Sequence, residues 1–288
     1  MPSPLLTPVV DGLGYPESPR WHAGRIWCTD FLSRTVQSFG PDGSRAVHGY
    51  LPGQPSGLGF GTDGQPLVVS VYDRKLIRFE NDSPRIAADI APFANSPLND
   101  MAVSESGTAY IGVLGLETAY LPHTEICSGR VVAVSADGEC RIAATDLGVP
   151  NGIAIAPDGR HLIVAETRGR RLTEFRIADD GSLADRCEFA DCGDRMPDGI
   201  TIDAAGAVWM GCPFSSEFVR VERGGRVLET IPVPGKWAIA CVFGGPDLDQ
   251  LWCATAQTTR DELFRGKAAG FLEVCTPATP GARLPGRE

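Results

Sequence analysis

Apolar residues along this chain fall in short runs, and the runs recur in one order six times. Each unit opens at a proline or tryptophan: Pro16, Pro55, Pro97, Pro150, Pro197 and Trp237, at intervals of 39, 42, 53, 47 and 40 residues. One or two small or polar residues come next and then an apolar run, as in Ser56-Gly57-Leu58-Gly59-Phe60, Asn151-Gly152-Ile153-Ala154-Ile155 and Asp198-Gly199-Ile200-Thr201-Ile202. A tight turn then ends on Gly24, Gly64, Gly107, Gly159 or Gly206, residues that supply a positive φ without steric cost. The sixth turn, Pro246-Asp247-Leu248-Asp249, uses proline and aspartate instead.

A second apolar run follows every turn: Ile26-Trp27-Cys28, Leu67-Val68-Val69, Ala109-Tyr110-Ile111, Leu162-Ile163-Val164, Val208-Trp209-Met210 and Leu251-Trp252-Cys253. A third comes after a loop, from Val36-Gln37-Ser38-Phe39 in the first unit to Phe271-Leu272-Glu273-Val274 in the last. Fourth runs such as Arg141-Ile142-Ala143-Ala144 are weaker, and no segment keeps a helical period over about 12 residues. Repeats of this length with four short strands predict an all-β chain, a six-bladed β-propeller of four-stranded antiparallel blades forming one domain over residues 1–288. An irregular β-sandwich would account for the strands but not for six matched turns. The last unit stops after its third strand, so Thr7-Pro8-Val9-Val10 at the N-terminus is expected to supply the missing outer strand and close the ring.

Composition narrows the picture. Gly (34) and Pro (23) are spread along the chain, as many short turns require. The net charge of −10 and the lack of any basic run beyond Arg168-Gly169-Arg170-Arg171 argue against a nucleic-acid partner and suit cation binding. No apolar run approaches the ~18 residues of a membrane span, and Met1-Pro2-Ser3-Pro4-Leu5-Leu6 carries no secretory pattern. Nine cysteines with no Cys-x-x-Cys pair are read as free thiols of a cytoplasmic protein. The expected partner is a small-molecule substrate, and the chain itself is expected to be a monomer or small homo-oligomer.

In a propeller the residues that open the innermost strands converge at one mouth of the channel. At that register stand Glu17, Asn99, Asn151 and Asp198, two carboxylates and two amides from four blades. Such an all-oxygen set suits Ca²⁺, Mg²⁺ or Mn²⁺, and Zn²⁺ also tolerates carboxylates. The second strand returns to the same mouth, so Asp30, Tyr72, Asp73, Glu117, Thr167, Arg168 and Phe214 are expected to rim it. The longest interval holds Gly115-Leu116-Glu117-Thr118-Ala119-Tyr120-Leu121-Pro122-His123, read as an extended loop over the site. No Gly-x-Ser-x-Gly elbow, His-Glu-x-x-His or phosphate-binding glycine loop occurs, and His22, His48, His123 and His161 fall in segments read as solvated turns.

The motifs Pro16-Glu17-Ser18-Pro19-Arg20-Trp21, Leu98-Asn99-Asp100, Pro150-Asn151-Gly152-Ile153-Ala154, Pro197-Asp198-Gly199-Ile200 and Cys241-Val242-Phe243-Gly244-Gly245 resemble, in this order and spacing, the SMP-30/gluconolactonase family that includes regucalcin. The resemblance covers nearly the whole chain. It implies one divalent metal, calcium first, on Glu17, Asn151 and Asp198, with Asp198 as general base. It sets Asn99 toward metal-bound water or substrate and Glu117 toward substrate; Tyr72 and Phe214, placed at the rim by the returning second strands, are expected to bind substrate as well. It also shows a departure: sugar-lactonase members carry an arginine two residues before the channel asparagine, where this chain has Pro97. The expected reaction is metal-dependent hydrolysis of a small lactone or ester. The alternatives that keep the same site are an isomerase, a cyclase or a phosphotriesterase-like hydrolase, and a propeller that only binds.

Overall fold

The computed structural model describes residues 5–116 and 128–282. The six repeats form six four-stranded antiparallel sheets. In blade 1 the strands run Pro16–His22, Arg25–Asp30, Thr35–Phe39 and Arg45–Tyr50 from the channel outward. The inner strands of blades 2 to 6 are Pro55–Phe60, Leu98–Val103, Pro150–Ile155, Ile200–Ile202 and Trp237–Gly244. Each inner strand touches those of both neighbouring blades, the sixth meeting the first, so the ring closes as a six-bladed propeller.

The apolar core is divided among the seams between blades. Leu67, Val69, Met101 and Ile111 fill the seam between blades 2 and 3. Trp209, Phe218, Phe243 and Leu251 fill the seam between blades 5 and 6. A blade is therefore covered on both faces, which is why second strands such as Ala109–Val113 and Val208–Cys212 are buried at every position and read as unbroken apolar runs. Outer strands such as Arg45–Tyr50 are largely exposed or half-buried, which makes their sequence signal weak.

The turns behave as read. Gly24, Gly64, Gly107, Gly159 and Gly206 all take positive φ, and in the sixth blade Leu248 occupies the left-handed conformation at φ 53. Closure also follows expectation: Thr7–Leu13 pairs antiparallel with Ala269–Cys275, from Thr7 opposite Val274 to Leu13 opposite Gly270. One short α-helix, Arg260–Phe264, interrupts blade 6, its N-terminus held by a capping box between Thr259 and Glu262. At five residues it is too short to leave a period in the sequence. Among the described residues eight cysteines are free thiols, and no helix is long and apolar enough to cross a membrane.

Candidate functional site

Inner strands of five blades start with the same irregularity. Pairing with the second strand shifts register between Glu17 and Arg20, Pro55 and Leu58, Leu98 and Met101, Pro150 and Ile153, and Ala238 and Ala240. A bulge of this kind re-aims the side chains it carries. Asn99 and Asn151 sit within such bulges, and Glu17 is the last paired residue before one. Asp198 lies just before its strand, where its N–H donates to Gly211 O at 2.8 Å and its own carbonyl accepts from Gly152 N–H at 3.1 Å. Glycine at 152 is required by this approach, because a Cβ there would stand 2.4 Å from Asp198 O.

These four side chains line one pocket of about 460 Å³, part of it open to solvent at its mouth. Thr167 completes the polar side. Tyr15, Val149, Pro213, Phe214 and Trp237 form the apolar side. Trp237 joins that wall together, meeting Tyr15 edge-on at 6.4 Å and Phe214 at 5.2 Å between ring centroids. Arg260 lies over the Phe214 ring, 5.4 Å from its centroid.

Charge in this pocket is poorly compensated. Burial pushes the Glu17 carboxyl well above its ordinary range, and the charges of Asp198 and Asp100 raise it further against the opposing pull of Arg20. Burial likewise raises Asp198, with Asp100 adding to the effect and a hydrogen bond from Asn151 opposing it. Arg20 is committed to Asp100, to which it donates at 2.9 Å, and to Met101 O at 2.7 Å. Asp100 also accepts from Ser18 Oγ at 2.6 Å and Ile153 N–H at 3.3 Å, so it ties blades 1, 3 and 4 together beside the pocket. Two buried carboxylates driven toward their neutral forms, beside an amide, fit a hard divalent cation that would offset both charges. Among the described residues no three His, Cys, Asp or Glu side chains gather as a metal cluster; the pocket sets its two carboxylates beside the amides of Asn99 and Asn151.

The sign of the pH dependence follows from these raised values. Stability contributed by the neutral carboxyls is complete below the ordinary carboxylate range near about pH 4 and is lost as pH rises through the raised values. In chelator, the melting temperature should therefore fall as pH is raised from about 5 to about 8, and added Ca²⁺ should oppose that fall. Thermal melts of the wild type and of the Glu17→Gln/Asp198→Asn double variant check it. A slope equally steep in the double variant would assign the effect to other groups.

Elsewhere the placements are mixed. Tyr72 is half exposed, packs near Phe31 at 6.4 Å, and is not among the pocket-lining residues. Glu117 and His123 lie outside the described residues. Asp30 does not rim the mouth: it is buried, and its carboxylate accepts the backbone N–H groups of Gly14, Tyr15 and Ser33. His22 and His48 are not solvated turns either, stacking on Phe60 at 3.7 Å and Trp27 at 4.1 Å. His48 does bridge Ser38 Oγ at 2.8 Å and Asp82 at 2.9 Å, the connectivity of a serine-hydrolase triad. Ser38 is 0% exposed and accepts from Arg25 Nε, so no substrate reaches it and the group pins blade 1 to the turn at Asp82.

Reading forward from the opening prolines missed Tyr15 and Val149, which stand one position before Pro16 and Pro150. It also passed over Trp237, which itself opens the sixth unit.

Residues 15–257 match the SMP-30/gluconolactonase/LRE-like region. The chain is similar to a pentonolactonase of Haloferax volcanii, 27% identical over 271 residues, with 89% of this chain and 88% of the relative covered. It is also similar to a 6-deoxy-6-sulfogluconolactonase of Pseudomonas putida, 27% identical with 70% and 69% covered. Its fold matches a luciferin-regenerating enzyme at a TM-score of 0.83, 19% identity, over 99% of this chain and 100% of the other.

Proposed function

The chain belongs to the SMP-30/gluconolactonase/LRE-like family, and from that membership we propose that it hydrolyses a small lactone with the help of one divalent cation. The two similar proteins named as lactonases support the reaction class. The observation that carries the reading is the meeting of Glu17, Asn151 and Asp198 in one pocket, where no described lining residue is a cysteine, histidine or serine nucleophile. The buried thiols offer no alternative, since burial raises those of Cys28, Cys212 and Cys241 far above the range of a reactive thiolate. Free thiols support a reducing compartment, the cytoplasm.

Glu17, Asn151 and Asp198 would hold the cation, calcium first, with magnesium, manganese or zinc as alternatives. Bound there it would polarise the ester carbonyl. Asp198 takes a proton from the attacking water as its oxygen bonds to the carbonyl carbon. Asn99 faces the carbonyl oxygen that gains charge. The ring C–O bond then breaks, and the proton goes to the departing alkoxide, leaving a hydroxy acid. Tyr15, Phe214 and Trp237 pack the apolar face of the ring and limit the water around it.

A panel of γ- and δ-lactones, followed by acid release in a pH-stat, tests this. Turnover above the spontaneous rate should fall at least about tenfold in chelator and return with Ca²⁺, the scale on which such sites respond to lost metal binding. Failure on every lactone, or turnover that persists in metal-free protein, would remove the proposal.

A further inference from the structure

An asparagine that serves as a metal ligand has a problem that a carboxylate does not. Its two ends are nearly the same shape, but one is an acceptor oxygen and the other an NH₂ that repels a cation. Something must hold the amide the right way round.

At Asn151 the surroundings do so. Its Nδ2 donates to Thr167 Oγ1 at 3.1 Å, while the Thr167 hydroxyl donates to Pro197 O at 2.8 Å. A threonine hydroxyl has one proton. With that proton on Pro197, the oxygen can only accept from Asn151, and only the NH₂ end satisfies it. The second NH₂ proton is directed at Asp198, so both N–H groups have acceptors and the oxygen is the end left to meet a cation. Thr167 is itself well held: its N–H donates to Val149 O at 3.0 Å. The preceding Glu166 is fully buried and accepts from Gly148 N–H at 2.6 Å and from Arg171 Nε and Nη2 at 2.8 and 3.0 Å. Because Pro197 precedes Asp198, one hydroxyl links the segments that carry two of the three expected ligands. At Asn99 the arrangement is reversed, with Oδ1 accepting from Ser56 Oγ at 3.3 Å.

We infer that Thr167 is a positioning residue, whose hydroxyl fixes Asn151 with its oxygen toward the pocket and so makes an amide into a cation ligand. The inference rests on the cation-dependent reading given under the proposed function. It predicts that Thr167→Val, which keeps the shape and removes the hydroxyl, weakens Ca²⁺ binding by about 10–100-fold, the usual effect of losing a partner that orients a metal ligand. Thr167→Ser should bind within about threefold of the wild type, because it retains the hydroxyl. When Asn151→Asp is introduced first, both ends of the side chain at this position are oxygens. Adding Thr167→Val to that variant should change its affinity by less than about threefold.

Calorimetric titration of metal-free protein with CaCl₂ measures the wild type and each of these variants, and melting in chelator confirms that each is folded. Thr167→Ala repeats the test should the second methyl of valine crowd the pocket. Wild-type affinity in Thr167→Val overturns the inference alone. A loss from Thr167→Val that is equally large with and without Asn151→Asp also overturns it, since the hydroxyl would then support the fold and not the amide. A wild type that takes up no Ca²⁺, Mg²⁺, Mn²⁺ or Zn²⁺ overturns the cation reading itself, and this inference with it.

Discussion

Asp198→Asn should lower lactone turnover by about 10²-fold or more at saturating cation, the usual scale for losing a general base. The substitution keeps shape and one oxygen but removes both charge and basicity. Part of any loss will be weaker cation binding, because the pair of pocket carboxylates becomes one. Glu17→Gln makes the same charge change at a residue with no assigned proton transfer, so it serves as the control. The measurement is kcat at rising Ca²⁺, with occupancy determined alongside. Equal recovery of both variants would reduce Asp198 to a ligand. A fully active Asp198→Asn enzyme with cation bound would assign proton transfer elsewhere.

Removing residues 1–12 should damage stability rather than chemistry. The strand Thr7–Leu13 is the outer strand of blade 6, and its partner Ala269–Cys275 would become an open edge. Losing most of one ladder at about 0.5–1.5 kcal/mol for each hydrogen bond removes several kcal/mol, which in a chain of this size lowers the melting temperature by about 10 °C. Light scattering after size exclusion should also show larger species than the full chain forms. An unchanged melting temperature and size distribution would mean that the ring holds without this closure.

The architecture was legible because each blade repeats the same physical problem. Second strands are buried on both faces, and turns need a positive φ, so apolar runs and glycines recur together. Glu17, Asn99, Asn151 and Asp198 could be placed at one end of the channel from that register alone, and all four line the pocket. What escaped has specific causes. The bulges at the strand starts are invisible in composition. Asp30 stands at a strand end like a surface carboxylate, yet turns inward because three N–H groups need an acceptor. Asp100 follows a channel asparagine and is spent on tying three blades together. The Thr167 contact with Pro197 spans 30 residues and joins two blades, beyond the reach of any local pattern.

Ring closure by two strands far apart in sequence sets a timetable for the molecule's synthesis. The strand Thr7–Leu13 leaves the ribosome long before its partner Ala269–Cys275. At translation rates of about 5–20 residues per second, the strand waits roughly 10–50 s before the segment it pairs with exists. During that interval the two-sided blades 1 to 5 can assemble seam by seam, but the first inner strand has no sixth blade beside it and Val9 and Val10 have no ladder to join. The pocket draws Glu17 from blade 1 and Trp237 from blade 6, so it forms only once the first and sixth inner strands meet. A nascent chain stalled before residue 237 would carry five blades and an incomplete site.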